Sequence, residues 1–324
     1  MLENIKGGLQ LTYRLSVIIP LYNKEKSINR AVNSVLKQTA FFDELIIVDD
    51  GSTDASLDVV KQFDDSRIKV ISQKNQGVSS ARNTAIKVAC SDYLCFLDAD
   101  DEWRPNFLEQ IVGLIKLNDK AGIYCARYAE VDEHGKQFIG NLVNINPNFY
   151  GQLADFFLSY KENRSLICSS NTCLKKEYLE QIGGFPKEAK LGEDIFVWLS
   201  IALSAPIMFS AKLATIVYRN AENRSHARVK LVLPYHIQYF LNPSKRALLE
   251  KNSTLKTFLL YNTTIFGLYA AQAGNRRLAI QTAKLLMAHK LMYGIIVFLG
   301  ACLPKSFIHL LKKLRNKKTL SYEN

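Results

Sequence analysis

The amino-acid sequence predicts an α/β protein: a mostly parallel sheet flanked by helices, followed by a helical C-terminal region. Three observations carry that prediction. Strand-length apolar runs alternate with segments of helical spacing through the first hundred residues. The runs are continuously apolar rather than alternating, which suits strands covered on both faces. Beyond Val229 the pattern turns almost wholly helical.

Leu15–Pro20 (LSVIIP) reads as the first strand. Ser27–Gln38 follows as a helix, with Ile28, Ala31, Val32, Val35 and Leu36 on one face. Glu44–Val48 (ELIIV) is the second strand, stopped by Asp49-Asp50-Gly51. Asp54–Phe63 is helical, Ile68–Ile71 a strand, and Val78–Ala89 a helix aligned on Val78, Ala81, Ala85 and Ala89. Tyr93–Leu97 (YLCFL) is a further buried strand. This β-α-β-α-β order implies right-handed crossovers and a ligand edge beyond the carboxyl ends of the strands. After Asp101 the spacing predicts a helix over Phe107–Leu117 and a hairpin from Gly122–Tyr128 to Gln137–Ile139. Leu166–Leu174 reads as a strand and Lys175–Ile182 as a helix ended by Gly183-Gly184. Another helix runs from Glu193-Asp194 to about Leu203. Later breaks are expected at Asn242-Pro243, Lys251–Ser253, Gly274-Asn275 and Pro304.

The chain has 324 residues, 48% of them hydrophobic and 22% charged, which excludes a disordered or low-complexity protein. Its net charge of +12 is unevenly placed. Residues 228–324 hold 16 Lys or Arg against two acids, Glu250 and Glu323. Residues 1–227 hold 26 basic and 28 acidic residues. A nearly neutral body thus precedes a basic region suited to an anionic surface. The six cysteines show no C-x-x-C spacing, so neither a disulfide framework nor a zinc site is expected, and a reducing cytosol fits. Residues 1–14 lack the apolar core of a secretory signal. The uncharged stretch Leu291–Pro304 falls short of the roughly 20 residues a spanning helix needs.

The acids collect where strands end. Asp98-Ala99-Asp100 places two carboxylates around one small residue, an arrangement that grips a hard divalent cation or a ribose. Mg²⁺ or Mn²⁺ takes few carboxylates and fills its shell with phosphate oxygens and water. A solvated turn capping the helix before Pro105 explains the same pattern. A calcium loop does not, because Trp103 stands where an EF-hand needs Gly. In Asp49-Asp50-Gly51-Ser52-Thr53-Asp54 one aspartate suffices for the turn and a second is left to accept from a nucleobase or ribose. Tyr22, beyond the first strand, is placed to stack on that base or to serve as an ordinary half-buried aromatic. Glu193-Asp194 reads as first-turn acids on a helix dipole, or as a general base.

Together these segments resemble the family 2 glycosyltransferases with a GT-A (Rossmann-like) fold, of the bacterial cell-surface polysaccharide type. The resemblance covers about residues 15–225 and rests on ordered motifs. These are SVIIPLYN (16–23), IIVDDGSTD (46–54), NQGVSSARN (75–83), FLDADDEW (96–103), IGGF (182–185) and GED (192–194). It implies a GT-A catalytic domain over 15–227, with a nucleotide-binding half at 15–104 and an acceptor half at 105–227. An N-terminal extension at 1–14 and the basic helical region at 228–324 flank it. By position, Pro20, Tyr22 and Asp50 resemble the nucleotide-base pocket, with Glu25 at its rim. Arg82 resembles the basic residue near base and phosphates. Asp98 resembles a ribose or metal contact and Asp100 the direct ligand of a divalent cation, Mn²⁺ or Mg²⁺. Asp194 matches the base that deprotonates the acceptor hydroxyl, with Glu193 its neighbour. Tyr218-Arg219 resembles the segment where a basic residue approaches the diphosphate. The usual His-Pro-Gly continuation is replaced here by Asn220–Ser225, which leaves Arg219, Arg224 and His226 without a fixed role. The implied reaction is an inverting transfer from a nucleotide-diphosphate sugar, commonly a UDP-sugar, to a glycan or polyisoprenoid-linked acceptor.

In Ser306–Lys318 the apolar Phe307, Leu310, Leu311 and Leu314 recur at helical spacing among Lys and Arg. With Leu291–Leu303 this reads as a membrane-surface helix, or as a helix packed on the catalytic domain. The expected location is cytoplasmic, peripheral on the inner face of the cell membrane. A nucleic-acid-binding protein lacks support, since no readout motif or interleaved aromatics accompany the charge. A sugar nucleotidyltransferase would need a Gly-rich basic phosphate loop after the first strand, and Leu21–Lys26 is not one.

Overall fold

A computed structural model describes residues 13–163, 165–223 and 231–302. The chain divides into two compact units. One gathers the described residues of Met1–Leu153, Ser165–Lys187 and Ser200–Arg224, the other those of Ala154–Arg164, Glu188–Leu199 and Ser225–Asn324.

The first unit carries a ten-stranded sheet. Strands β1 (Leu15–Leu21), β2 (Glu44–Asp49), β3 (Ile68–Ser72) and β4 (Tyr93–Phe96) lie in the order β3-β2-β1-β4. Their three neighbouring pairs are all parallel, as the sequence predicts. Helices α1 (Ile28–Leu36), α2 (Ser56–Val60) and α3 (Val78–Val88) connect them. Inner strands β1 and β2 bury both faces, with Val17, Ile18, Ile19, Ile46 and Ile47 fully inaccessible. Their hydrophobicity runs continuously for that reason.

The sheet continues through β9 (Thr172–Lys175), β6 (Ile123–Val131), β10 (Ile207–Tyr218) and β5 (Glu102–Trp103). β9 is antiparallel to both β4 and β6, while β6 and β10 run parallel. β7 (Gln137–Phe138) pairs with the end of β6, and β8 (Tyr150–Gln152) with β10. α4 (Phe107–Leu117) and α6 (Lys176–Gln181) lie where their spacing places them.

Two expectations are corrected here. Leu166–Leu174 is not one strand, because Ser169–Asn171 form a 3-10 turn before Thr172. Asn171 makes the break. Its Nδ2 donates to the carbonyls of Ala126 and Leu166 at 2.6 and 3.2 Å, and its Oδ1 accepts from the Cys168 N–H at 2.8 Å. A side chain that satisfies backbone groups locally competes with the strand ladder. Conversely, the pattern after Leu203 places no strand, yet Ile207–Tyr218 forms one of twelve residues. Lys212 interrupts its apolar run, and register shifts between Ser210 and Thr215 leave that lysine exposed.

The second unit is helical among its described residues. It contains α5 (Phe156–Glu162), the start of α7 (Glu193–Ala202), α8 (Tyr235–Phe240), α9 (Arg246–Lys251), α10 (Ser253–Gln272), α11 (Arg276–Met287) and α12 (Leu291–Cys302). Tyr160 stacks on Phe258 with ring centroids 5.0 Å apart, tying α5 to α10. Leu260, Ala283, Leu286 and Val297 form a core among α10, α11 and α12. No helix of the described residues is long and apolar enough to cross a membrane. All six cysteines are free. Pro304, the segment Ser306–Lys318, Arg224 and His226 lie outside the described residues.

Glu44 opens β2 and is only 2% exposed. Its carboxylate accepts from Ser16 Oγ at 2.6 Å, Lys69 Nζ at 2.7 Å and the Cys90 N–H at 2.9 Å. Burial by itself raises a carboxyl pKa, but the bonds from Lys69, Ser16 and Cys90 outweigh it and hold this one at about 2. The folded value lies below the ordinary 4.5, so the stabilisation is complete above that pH and lost as pH falls toward 2. Glu44→Ala should cost about 1–3 kcal/mol at pH 7 in a urea titration, since it strands the buried Ser16 hydroxyl and takes the acceptor from the Cys90 N–H and the exposed Lys69 ammonium. The gap from the unsubstituted protein should narrow below about pH 4.

Candidate active site

Strands β1, β2 and β4 end side by side. The Asp50 N–H donates to the Leu21 carbonyl at 2.8 Å, and the Leu97 N–H to Ile18 at 3.0 Å. The loops beyond these ends therefore share one edge. Pro20, Tyr22, Glu25, Asp50, Arg82, Asp98 and Asp100 all lie in this first unit, on the sheet edge or the segments bonded to it.

Each carboxylate of Asp98-Ala99-Asp100 faces a cationic side chain. Arg82 Nη2, from α3, donates to Asp98 Oδ1 at 2.9 Å. The Arg82 side chain is 3% exposed, and its guanidinium lies 5.1 Å from the Phe185 ring centroid. Lys24 Nζ donates to Asp100 Oδ2 at 2.6 Å, with both side chains largely buried. Burial raises the Asp100 pKa, the Lys24 charge opposes that, and the Asp98 charge adds to it. Asp101 stands apart as a buried clamp. Its Oδ2 accepts from Ser170 Oγ and its Oδ1 from the Tyr218 N–H at 3.0 Å. Burial and the charges of Asp100 and Asp98 push its carboxyl well above the ordinary range.

The two aspartates ending β2 divide their work. Asp49 Oδ1 accepts the Ser52 N–H at 3.1 Å and so shapes the turn. Asp50 holds the loop before α3, accepting from Gln73 Nε2 at 2.7 Å, Gln76 N–H at 2.9 Å and Gly77 N–H at 2.8 Å. Gly77 has φ +90°, so a β-carbon there is disfavoured. Glu25 Oε2 accepts the Ala55 N–H at 3.0 Å, bracing the start of α2. The Tyr22 carbonyl accepts from Asn223 Nδ2 at 3.2 Å.

The segment after β10 closes against the same edge. Lys24 Nζ also donates to the Glu222 carbonyl at 2.5 Å, and the Glu222 carboxylate accepts from Ser27 Oγ at 2.9 Å. Arg30 Nη2 donates to the Asp100 carbonyl at 2.6 Å while its guanidinium sits 3.7 Å over the Tyr218 ring. Arg219 is bidentate on Glu130, at 2.9 and 2.5 Å. Lys24, Arg30, Ser170 and Glu222 were not legible in the sequence as residues of the site. Lys24 alone carried a signal, standing just beyond the first motif, between Asn23 and Glu25.

Asp194 belongs to the second unit, on the first turn of α7, and its Oδ1 accepts the Ile195 N–H at 2.7 Å. Gly192 precedes it with φ +80°, and a β-carbon there would lie against His236 Nδ1 and 3.1 Å from Pro234 Cβ. The Tyr235 N–H donates to the Leu191 carbonyl at 2.7 Å, fixing the helix entry to α8.

Among the described residues no group of three or more His, Cys, Asp or Glu is arranged to hold a metal by itself. Asp98 and Asp100 nevertheless fit a Mg²⁺- or Mn²⁺-like ion as a donor set. They are hard oxygen donors two residues apart in one turn, each balanced by a cation, Arg82 or Lys24, that a metal would replace or repel.

The model of glycosyl transferase family 2 matches residues 16–183, more than half of the chain. The chain belongs to that family, and its sheet and flanking helices are of the GT-A type. A glycosyltransferase of Nostoc sp. is 32% identical over 216 residues, 66% of this chain and 65% of the relative. The Escherichia coli UDP-Glc:alpha-D-GlcNAc-diphosphoundecaprenol beta-1,3-glucosyltransferase WfgD is 34% identical over 190 residues, 58% of this chain and 70% of the relative. The match thus spans about two thirds of each relative's length. Staphylococcus aureus TarS, solved with UDP-GlcNAc, shares the fold with a TM-score of 0.65 at 20% identity, over 89% of each chain.

His236 offers a test of the helix-entry packing. It is 1% exposed, and Nε2 lies 2.9 Å from Asn262 Oδ1. Burial pulls its pKa down to about 4, against the bonds from Asn262 and the Gly192 backbone. A base depressed below its ordinary 6.5 stabilises the fold fully above that pH and loses this as pH falls toward 4. The loss should reach about 3 kcal/mol in urea titrations between pH 7 and 4. His236→Gln should flatten that part of the profile.

Proposed function

We propose that this protein is an inverting glycosyltransferase. It moves a sugar from a nucleotide-diphosphate sugar, a UDP-sugar in our reading, to an acceptor hydroxyl. The observation that carries this is the paired Asp98 and Asp100 at the sheet edge, beside the loop that Asp50 holds. The TarS complex with UDP-GlcNAc and the donor in the WfgD name support a uridine nucleotide. The WfgD name also supports a lipid-linked glycan acceptor. Our reading adds a peripheral position on the inner membrane face and a role in surface polysaccharide assembly.

In this reading Pro20 and Tyr22 border the base. Asp50 has three of its four lone-pair sites engaged by Gln73, Gln76 and Gly77, which leaves one for the base or ribose. Glu25 keeps the rim rigid through α2. Arg82, held by Asp98, places fixed positive charge toward the nucleotide. Asp100, with Asp98, would hold a divalent cation. Such an ion, when bound, supplies charge neutralisation to the departing diphosphate. Asp194 takes the proton of the acceptor hydroxyl. The acceptor oxygen bonds to the anomeric carbon as the bond to the diphosphate breaks, and the electron pair leaves with the nucleoside diphosphate. One displacement inverts the anomeric configuration, and no covalent sugar–enzyme intermediate is needed.

Nucleoside diphosphates with Mn²⁺ should raise the melting temperature, by mass action on the native state, with one base favoured. Asp194→Asn should lower turnover about 10²- to 10⁴-fold, measured as nucleoside diphosphate release. Asp100→Asn should lower turnover strongly and remove the Mn²⁺ dependence of the melting shift. Near-normal turnover in either variant, with the fold retained, removes the role given to that residue.

A further inference from the structure

α12 is built inside out. Its inward side is small: Gly294, Val297, Gly300 and Ala301 are buried. A β-carbon at Gly294 would come within 2.6 Å of the Ala283 carbonyl, and one at Gly300 within 2.8 Å of Leu268 Cδ2. The helix therefore cannot turn its bulk inward. Its large side chains point outward instead: Leu291 61%, Met292 62%, Ile296 46%, Phe298 42% and Leu299 57% exposed. At 100° per residue these five share one arc, and no charged residue occurs from Leu291 to Cys302. A helix on the surface of a soluble domain shows the opposite pattern. A contiguous apolar patch of this kind marks an interaction site.

The surrounding charge identifies the occupant. From Lys251 to Tyr322 the sequence holds 12 Lys or Arg and no acid. Arg276, Arg277, Lys284 and Lys290 on and after the neighbouring helix α11 are exposed. A second copy docked on this face would bring like charges together. An anionic bilayer supplies both an apolar layer and the opposite charge. The helix is about 18 Å long, against a hydrocarbon core of about 30 Å, so it lies in the interface rather than crossing it.

We propose that the outward face of α12 inserts into the headgroup boundary of an anionic membrane. This deepens the membrane position proposed above and rests on that reading for its biological sense, but not on the transfer chemistry.

The test is flotation of the full chain with phosphatidylcholine vesicles, with and without about a third phosphatidylglycerol. The protein should float with the anionic vesicles. Ile296→Gln with Leu299→Gln should lower the bound fraction at least tenfold while leaving the melting temperature and its nucleotide-dependent rise in place. Equal binding by this variant would overturn the proposal and assign vesicle affinity to basic charge alone. Conversion of a dimer to a monomer by the same variant, with vesicle binding unchanged, would mark a self-association face and overturn it equally. Phe298→Trp gives a second measurement that does not depend on losing binding. Its emission should be open to iodide without vesicles, then shift blue and be quenched by brominated acyl chains. Emission already shielded from iodide in free protein, with no quenching by the bilayer, would mean that another segment covers the face.

Discussion

The first unit is organised around a crowding of negative charge. Asp98, Asp100 and Asp101 follow one another at the end of a central strand, two of them largely buried. Burial and mutual repulsion raise the carboxyl pKa values of Asp100 and Asp101, and such a cluster opposes folding unless each member is answered. Each is answered differently. Arg82 meets Asp98, Lys24 meets Asp100, and Asp101 is held by the Ser170 hydroxyl and the Tyr218 N–H. The bulk of the site geometry follows from these three solutions.

The partners come from far along the chain. Arg82 rides on α3, Lys24 stands just before α1, Ser170 sits in the turn before β9, and Tyr218 ends β10. Meeting the acids therefore pulls four distant segments to one edge. It also explains why the strand expected at Leu166–Leu174 is broken. Ser170 must turn toward Asp98 and Asp101, and its carbonyl must accept from Trp103 Nε1 at 2.6 Å. In a straight strand the Ser170 carbonyl would lie in the sheet plane, directed at a neighbouring strand rather than at the Trp103 side chain. The arrangement balances its charges within the protein; in the proposed reaction a metal–diphosphate complex would compete with both cations for the same carboxylates.

The second unit obeys a steric constraint. Gly192 lets the chain pass His236 closely before α7 begins, and Gly294 and Gly300 let α12 lie tightly on its neighbours. In both places a missing side chain decides how closely the chain packs and so which neighbours face outward. At α7 the acid Asp194 is set on a first helical turn. At α12 the large apolar residues are left on the outside.

Much of this was legible in the sequence. The strands β1, β2 and β4 follow from nearly continuous apolar runs, because strands buried on both faces show no alternation; β3, at the sheet edge, carries Lys69 and is partly exposed. The acids at strand ends, and the order of motifs from Ser16 to Asp194, were enough to name the family resemblance. What the sequence did not disclose were the partners of those acids. Lys24, Ser170 and Glu222 look like ordinary polar residues until the sheet brings them within hydrogen-bond distance. β10 stayed hidden because one lysine breaks its pattern and a bulge turns that lysine outward. The sequence by itself determined which residue types stand at each strand end, since local apolar periodicity is a short-range property. Only the tertiary structure decided which cation answers which carboxylate, because charge pairing acts through space between residues that the chain holds 16 and 76 positions apart, as Arg82 and Asp98 and Lys24 and Asp100 are.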